Sequence, residues 1–252
     1  MSKETVRQRV QQRHSRQRRQ TQTILIVVVA ILALGVVGIL IAFNSPHSPK
    51  PALASDFAGI PEGLDQSGAI ALTLGRTDAR VTLTEYGDFS CPHCHDLEPT
   101  IHQLITDYVK PGKLRIIYKT VTFVGGAYSQ VAAQAAICAA RQGKGWEMHD
   151  QIWGYFDSNG PQAYSQSTMT SLAENIGLDT TKFGTCYNAP DTSASVQSVA
   201  DEVLAIGVTS TPTLFINGNR LDYTGPDSVV QAVQSAAAAL PATNAASATA
   251  AP

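Results

Sequence analysis

The chain has one Cys-x-x-Cys and no second copy to match it. That absence argues against a paired-thiolate zinc module, which needs two further ligands at a recognisable spacing. Internal repeats are missing too, so nothing points to a stacked array. Net charge is nearly absent, at −2 over 252 residues. Most telling is the lack of any polar side chain from Ile24 to Phe43. At about 1.5 Å per residue that run spans roughly 30 Å, the hydrocarbon thickness of a bilayer.

The small net charge hides an asymmetry. Residues 1–23 hold seven Lys/Arg against one acid, Glu4, which leaves eleven basic and nineteen acidic residues in the rest. A basic head alone would suggest nucleic acid. Beside a long apolar run it reads instead as a membrane flank, and no nucleic-acid partner is expected. The positive-inside bias puts the N-terminus in the cytoplasm and everything after Phe43 outside, a single-pass anchor in the cell membrane. The alternative is a cleaved signal peptide, since Ala52-Leu53-Ala54 has a small-x-small pattern. The apolar run exceeds the usual signal length and ends well before that site, which favours the uncleaved anchor. The expected organisation is a cytoplasmic segment 1–23, a transmembrane helix 24–43 and a Pro-rich linker 44–69. A folded domain 70–240 and a disordered tail 241–252 follow.

All four cysteines, Cys91, Cys94, Cys138 and Cys186, fall on the outer side, where disulfides form and persist. Cys91 and Cys94 sit where a β-branched run, Val81-Thr82-Leu83-Thr84, hands over to an amphipathic stretch with Leu97, Ile101, Leu104, Ile105 and Val109 on one face. A helix start favours an anion. A thiolate is such an anion, and its pKa there falls to roughly 3.5–7.5. Cys91 is therefore the expected attacking sulfur and Cys94, one turn in, the resolving one. His93 between them would lend positive charge. A structural disulfide is a poor reading, because a two-residue loop crosslinks almost nothing. A Cys91, Cys94, His95 metal cluster is the other reading.

Along the chain, Ile70–Leu74, Val81–Tyr86 and Leu114–Lys119 read as strands, and Gly59–Ser67 as loop. Strand, helix, strand suggests a βαβ unit, its helix kinked at Pro99 and closed at Pro111-Gly112. From Gly125 to about Pro190 three apolar clusters at helical spacing predict an all-helical insertion. Ser193 is the expected cap of the next helix, which runs to about Ile206. Val208–Ile216 returns to strand composition, Asn217-Gly218 signals a hairpin, Leu221–Tyr223 is the return strand, and Pro226 opens a last helix. Glu85 is either a solvent-facing residue of its strand or a buried acid that moves protons at Cys94. Asp88 reads as a loop residue, and His95, His102 and His149 as surface or packing residues.

This order, with its motifs, resembles an α/β thioredoxin fold carrying an inserted helical domain, as in the DsbA-like family of extracytoplasmic thiol–disulfide oxidoreductases. Cys91-Pro92-His93-Cys94 matches the motif of the DsbA oxidases. Thr211-Pro212 matches the cis-proline that faces the cysteines, and Glu85 matches the buried acid beneath them. Gly145–Asp150 and Gly207–Gly218 look like segments of the thioredoxin-4 subgroup. The resemblance covers about residues 70–240. It implies a cis Thr211–Pro212 bond that brings the Thr211 backbone beside Cys91. A second disulfide occurs in part of the family, which suggests Cys138–Cys186; two buried free thiols are the alternative.

The resemblance implies a disulfide oxidase acting on unfolded exported proteins through Cys91–Cys94, which the apolar run would tether to the membrane. Cys91, Cys94, His93, Glu85, Thr211 and Pro212 form its catalytic set. It needs no metal or organic cofactor. Its reoxidant would be a quinone-linked membrane protein of the DsbB or vitamin K epoxide reductase type. The rivals are an isomerase or reductase on the same fold, a tethered copper- or zinc-binding chaperone using Cys91, Cys94 and His95, and a redox-dead binding module.

Overall fold

The structure is a computed structural model that describes residues 57–65 and 70–239. The expected basic head, the apolar run 24–43, residues 44–56 of the linker and the tail 241–252 lie outside the described residues. Among the described residues no helix is long and apolar enough to cross a membrane.

The centre is a mixed sheet built from β1 (Glu62–Asp65), β2 (Ala71–Leu74), β3 (Val81–Gly87), β4 (Leu114–Thr120), β5 (Thr213–Ile216) and β6 (Asn219–Arg220). Their order across the sheet is β1-β2-β4-β3-β5-β6. Among the described residues only the central pair is parallel, in register from Val81 opposite Leu114 to Gly87 opposite Thr120. A parallel pair needs a crossover connection. Here it is α1 (Pro92–His95), α2 (Glu98–Leu104) and a π-turn at Ile105–Val109. The sequence predicts one kinked helix; the structure has two short ones. Pro99 has no N–H to bond back into the preceding turn, so the helix restarts with Pro99 in its first turn.

Side chains alternate across each strand. On β3 Val81, Leu83 and Glu85 share one buried face, and on β4 Leu114, Ile116 and Tyr118 do the same. Glu85 stands opposite Tyr118 in the register. An acid is thus placed in the main core by the same period that places its apolar neighbours.

Between β4 and β5 come α3 (Ala127–Ala140), α4 (Gly145–Asn159), α5 (Gln166–Asn175), α6 (Thr180–Tyr187) and α7 (Pro190–Ile206). After the β5–β6 hairpin the chain ends in α8 (Pro226–Ala238). Small residues let α3 pack closely: Ala132, Ala135, Ala136 and Ala139 are fully buried. Cys138 of α3 is disulfide-bonded to Cys186 of α6, 48 residues on, with their Cα atoms 5.7 Å apart.

Several expectations need correction. The expected linker 44–69 overlaps the fold: Phe57 is buried in the core and β1 pairs with β2. Pro61 and Gly63 mask that short edge strand. Helix α7 is not capped by Ser193 but begins at Pro190, with Ala189 at the cap position. The fixed φ of proline suits a first helical residue, so Pro190 opens the helix four residues earlier. The strand expected over 208–216 is confined to Thr213–Ile216, because proline donates nothing to a sheet ladder. The return strand is Asn219–Arg220, not Leu221–Tyr223. Asn217 and Gly218 both take positive φ, 49° and 81°, so the hairpin closes tightly and pairing starts at once. The sequence reading also missed α6, capped by Asp179, whose Oδ1 accepts from Thr181 N and Lys182 N at 3.0 Å.

Candidate functional site

β3 ends at Gly87, which packs directly on Tyr118. A Cβ there would lie 2.6 Å from the Tyr118 ring, so only glycine fits. The next residue, Asp88, is a fully buried peg. Its Oδ1 accepts from Ser90 N at 2.8 Å and from the Ser129 hydroxyl, and its Oδ2 accepts from Val124 N at 2.9 Å. Cys91 N donates to the Asp88 carbonyl at 2.8 Å. The loop carrying the first cysteine is therefore tied to the loop before α3. Sequence reading took Asp88 for an ordinary loop residue, and nothing local distinguishes it.

Cys91 occupies the N-cap position of α1, with Pro92 at the first helical position. Both cysteines are free thiols; Cys91 is 4 % exposed and Cys94 not at all. The Thr211–Pro212 bond is cis. The Thr211 carbonyl oxygen lies 3.5 Å from Cys91 Sγ and accepts from it while the thiol is protonated. A groove of about 320 Å³ opens beside them, lined among others by His93, Pro212, Arg220 and Tyr223.

The two sulfurs are unlike. Cys91 is held down to about 5, chiefly because the Cys94 thiol donates to its thiolate. The Cys94 and His93 backbone N–H groups add to this, while burial opposes it. Cys94 is driven far above the usual thiol range by burial, by its bond to Cys91 and by the charge of Glu85. Glu85 is buried, its Oε1 has no partner, and burial with the Cys91 thiolate pushes its carboxyl up to about 8.

The structure brings Cys91, Cys94, Glu85, Thr211 and Pro212 together. His93 is different. Its ring side chain is 80 % exposed and faces Asp96 Oδ2 at 3.7 Å, so His93 contributes to Cys91 through its backbone. His95 turns away from the sulfurs to Asp157, at 2.9 Å, and to the rings of Trp153 and Phe156. A residue next to Cys94 lies about 100° round the helix, and so the Cys91, Cys94, His95 metal cluster is not assembled.

Glu98, His149 and Asp150 form a buried group that sequence reading did not connect. Each places a ligand-capable atom within 4.8 Å of the others. His149 is already engaged at both nitrogens: Trp153 Nε1 donates to its Nε2 at 3.2 Å, and its Nδ1 lies 3.2 Å from Asp150 Oδ1. Tyr223, seen in the sequence only as strand, lies close enough for Glu85, Cys94, Asp96 and Cys91 to raise its phenol, after burial.

A family model described as thioredoxin, Thioredoxin_4, matches residues 69–235. The chain belongs to the Thioredoxin_4 family. Among curated relatives, it is 33 % identical over 147 residues to the Na(+)/H(+) antiporter NhaA 3 of Salinispora tropica, covering 58 % of this chain and 21 % of the antiporter. This Thioredoxin_4 chain thus spans about a fifth of that relative's length. It is 25 % identical over 152 residues to the probable disulfide bond formation protein D of Bacillus cereus, covering 58 % of this chain and 70 % of that protein. Two solved structures share the fold. Oxidised BdbD from Bacillus subtilis matches with a TM-score of 0.57 at 19 % identity, over 66 % of this chain and 92 % of that one. MdbA, a thiol-disulfide oxidoreductase from Corynebacterium diphtheriae, matches with a TM-score of 0.58 at 19 % identity, over 72 % and 100 %.

Proposed function

We propose that this Thioredoxin_4 protein is a DsbA-type thiol–disulfide oxidoreductase that works as an oxidase on unfolded exported proteins. The observation that carries the reading is the inequality of the two sulfurs, one held as thiolate and the other kept protonated. A client thiolate attacks Cys91 Sγ of the oxidised pair. The Cys91–Cys94 bond breaks, and its electron pair leaves on Cys94, which takes a proton. A second client thiolate then attacks the client sulfur of the mixed disulfide and releases Cys91 as thiolate. The client gains a disulfide and the enzyme becomes a dithiol. Whatever stabilises the Cys91 thiolate stabilises the reduced enzyme, and so makes the oxidised one a stronger oxidant.

The groove beside cis-Pro212 suits an extended client, because the Thr211 backbone can pair with it as an added strand. The names of the Bacillus and Corynebacterium proteins agree with this chemistry. Ion transport is not read from the antiporter match, which spans 21 % of that protein. The apolar run supports a tether, and the family resemblance supports a membrane reoxidant. Residues 24–43 tether the domain to the cell membrane with the N-terminus in the cytoplasm. A quinone-linked protein of the DsbB or vitamin K epoxide reductase type reoxidises it. The chemistry calls for no metal or organic cofactor.

The test is the reduction potential of the full-length protein in glutathione buffers. The expected value lies nearer the about −120 mV of a strong oxidase than the about −270 mV of thioredoxin. A value at the thioredoxin end would make the protein a reductase.

A further inference from the structure

Cys94 and Glu85 are sealed from solvent, yet each turnover of the proposed cycle puts a proton on Cys94 or takes one off. A line of polar groups leads from that pocket to the surface. The Tyr118 hydroxyl is buried without a partner, in the field of Glu85, Cys94 and Glu98. Glu98 has both carboxyl oxygens buried without a hydrogen-bond partner. Its Oε1 lies 3.6 Å from His149 Nε2. The Trp153 indole can only donate, so His149 Nε2 is an acceptor and the ring proton sits on Nδ1, toward Asp150 Oδ1. Asp150 Oδ2 lies 3.6 Å from His102 Nε2. The His102 side chain is 40 % exposed and borders a cavity of about 480 Å³.

We propose that Glu98, His149, Asp150 and His102 form the proton path between the Glu85–Cys94 pocket and solvent, and that in the reduced protein it is oriented outward. The inference rests on the redox reading above. The direction follows from the His149 tautomer: when the Trp153 indole releases Nε2, that nitrogen takes a proton from Glu98, 3.6 Å away, while Nδ1–H passes one to Asp150. An outward path serves reoxidation. Once Cys91 is tied up in a mixed disulfide, its negative charge is gone and Glu85 loses its proton along the path. The Glu85 carboxylate then takes the proton of Cys94. The Cys94 thiolate attacks Cys91 Sγ, the bond from Cys91 to the partner sulfur breaks, and the partner leaves as thiolate with the electron pair. One proton leaves through His102. The groups facing the path are Glu85 from β3, Tyr118 from β4, Glu98 and His102 from α2, and Asp150 from the helix of His149.

The full-length reduced protein is mixed with glutathione disulfide, and the first-order expulsion of glutathione from Cys91 by Cys94 is followed by tryptophan fluorescence from about pH 5 to about pH 9. Glu98→Gln and His149→Ala are expected to slow this step by about a hundredfold or more, within the span of general acid–base effects. The preceding attack of Cys91 should keep its rate. Added imidazole should restore His149→Ala in proportion to its concentration and leave the wild type unchanged. His102→Gln, at the exposed end, should slow expulsion less and respond to buffer concentration. Variants with wild-type rates and pH profile would overturn the path and leave the redox reading standing. Variants slowed equally in both steps and indifferent to imidazole would mark a structural role and overturn it too. A wild type that never closes its disulfide with glutathione would take down the redox reading, and the path with it.

Discussion

Cys91 and Cys94 stand as free thiols with two residues between them, whereas Cys138 and Cys186 are joined across 48 residues. The difference lies in surroundings and loop length, not in the sulfur. The inner pair sits at a strand–helix junction, where donors converge on one sulfur and burial keeps the other protonated. The outer pair ties two helices of the insertion, α3 to α6, beside Thr192 and the Arg141 guanidinium. In chain entropy a crosslink over the short loop gains about 2 kcal/mol, and one over the long loop about 4 kcal/mol. One pair is therefore suited to exchange and the other to holding the helices together.

The sharpest way to break this division is to remove the outer pair. The double substitution Cys138→Ala and Cys186→Ala is expected to lower stability by about 2–4 kcal/mol in urea unfolding. The potential of Cys91–Cys94 should not move. A shifted potential would mean that the two pairs communicate and the comparison fails.

Glu85→Gln acts on the inner pair alone. Glu85 has a folded pKa of about 8, above its ordinary value, so the unfolded chain releases its proton first. Stability should fall as pH rises across that window, and the glutamine variant should escape the fall. The expected gain is about 1–3 kcal/mol at the alkaline end, the usual cost of a buried polar atom without a partner. At pH below the ordinary carboxyl range the two proteins should unfold together. A gain that persists in acid would place the effect in packing rather than in charge.

The smallest change is expected from His93→Ala. An exposed ion pair is worth little, about 0–1 kcal/mol, and the ring of His93 already faces Asp96. The backbone N–H that serves Cys91 survives the substitution. Titration of Cys91 in this variant should stay within about one unit of the parent. A larger rise would restore the imidazole as the main support of the thiolate.

The strand alternation that buries Glu85 was legible from the sequence as far as its period; which face meets the core was not. The helix junction at Cys91 was legible because Val81–Thr84 and the spacing from Leu97 to Val109 are both local patterns. Cis-Pro212 came only through resemblance, since a lone X–Pro bond reads as trans. Glu98 and His149 were not legible together. They lie 51 residues apart, on different elements, and only the packing of α4 on α2 brings them within 3.6 Å. Asp88 was lost for the same reason: its partners, Val124 and Ser129, lie beyond β4.

The most direct measurement is the ultraviolet titration of the Cys91 thiolate in the reduced, full-length protein. The arrangement of donors around Sγ predicts a midpoint at about 5. A midpoint near the about 8.5 of free cysteine would contradict it, because Cys91 would then be no better an anion than any other thiol and the pair would have no reason to oxidise a client.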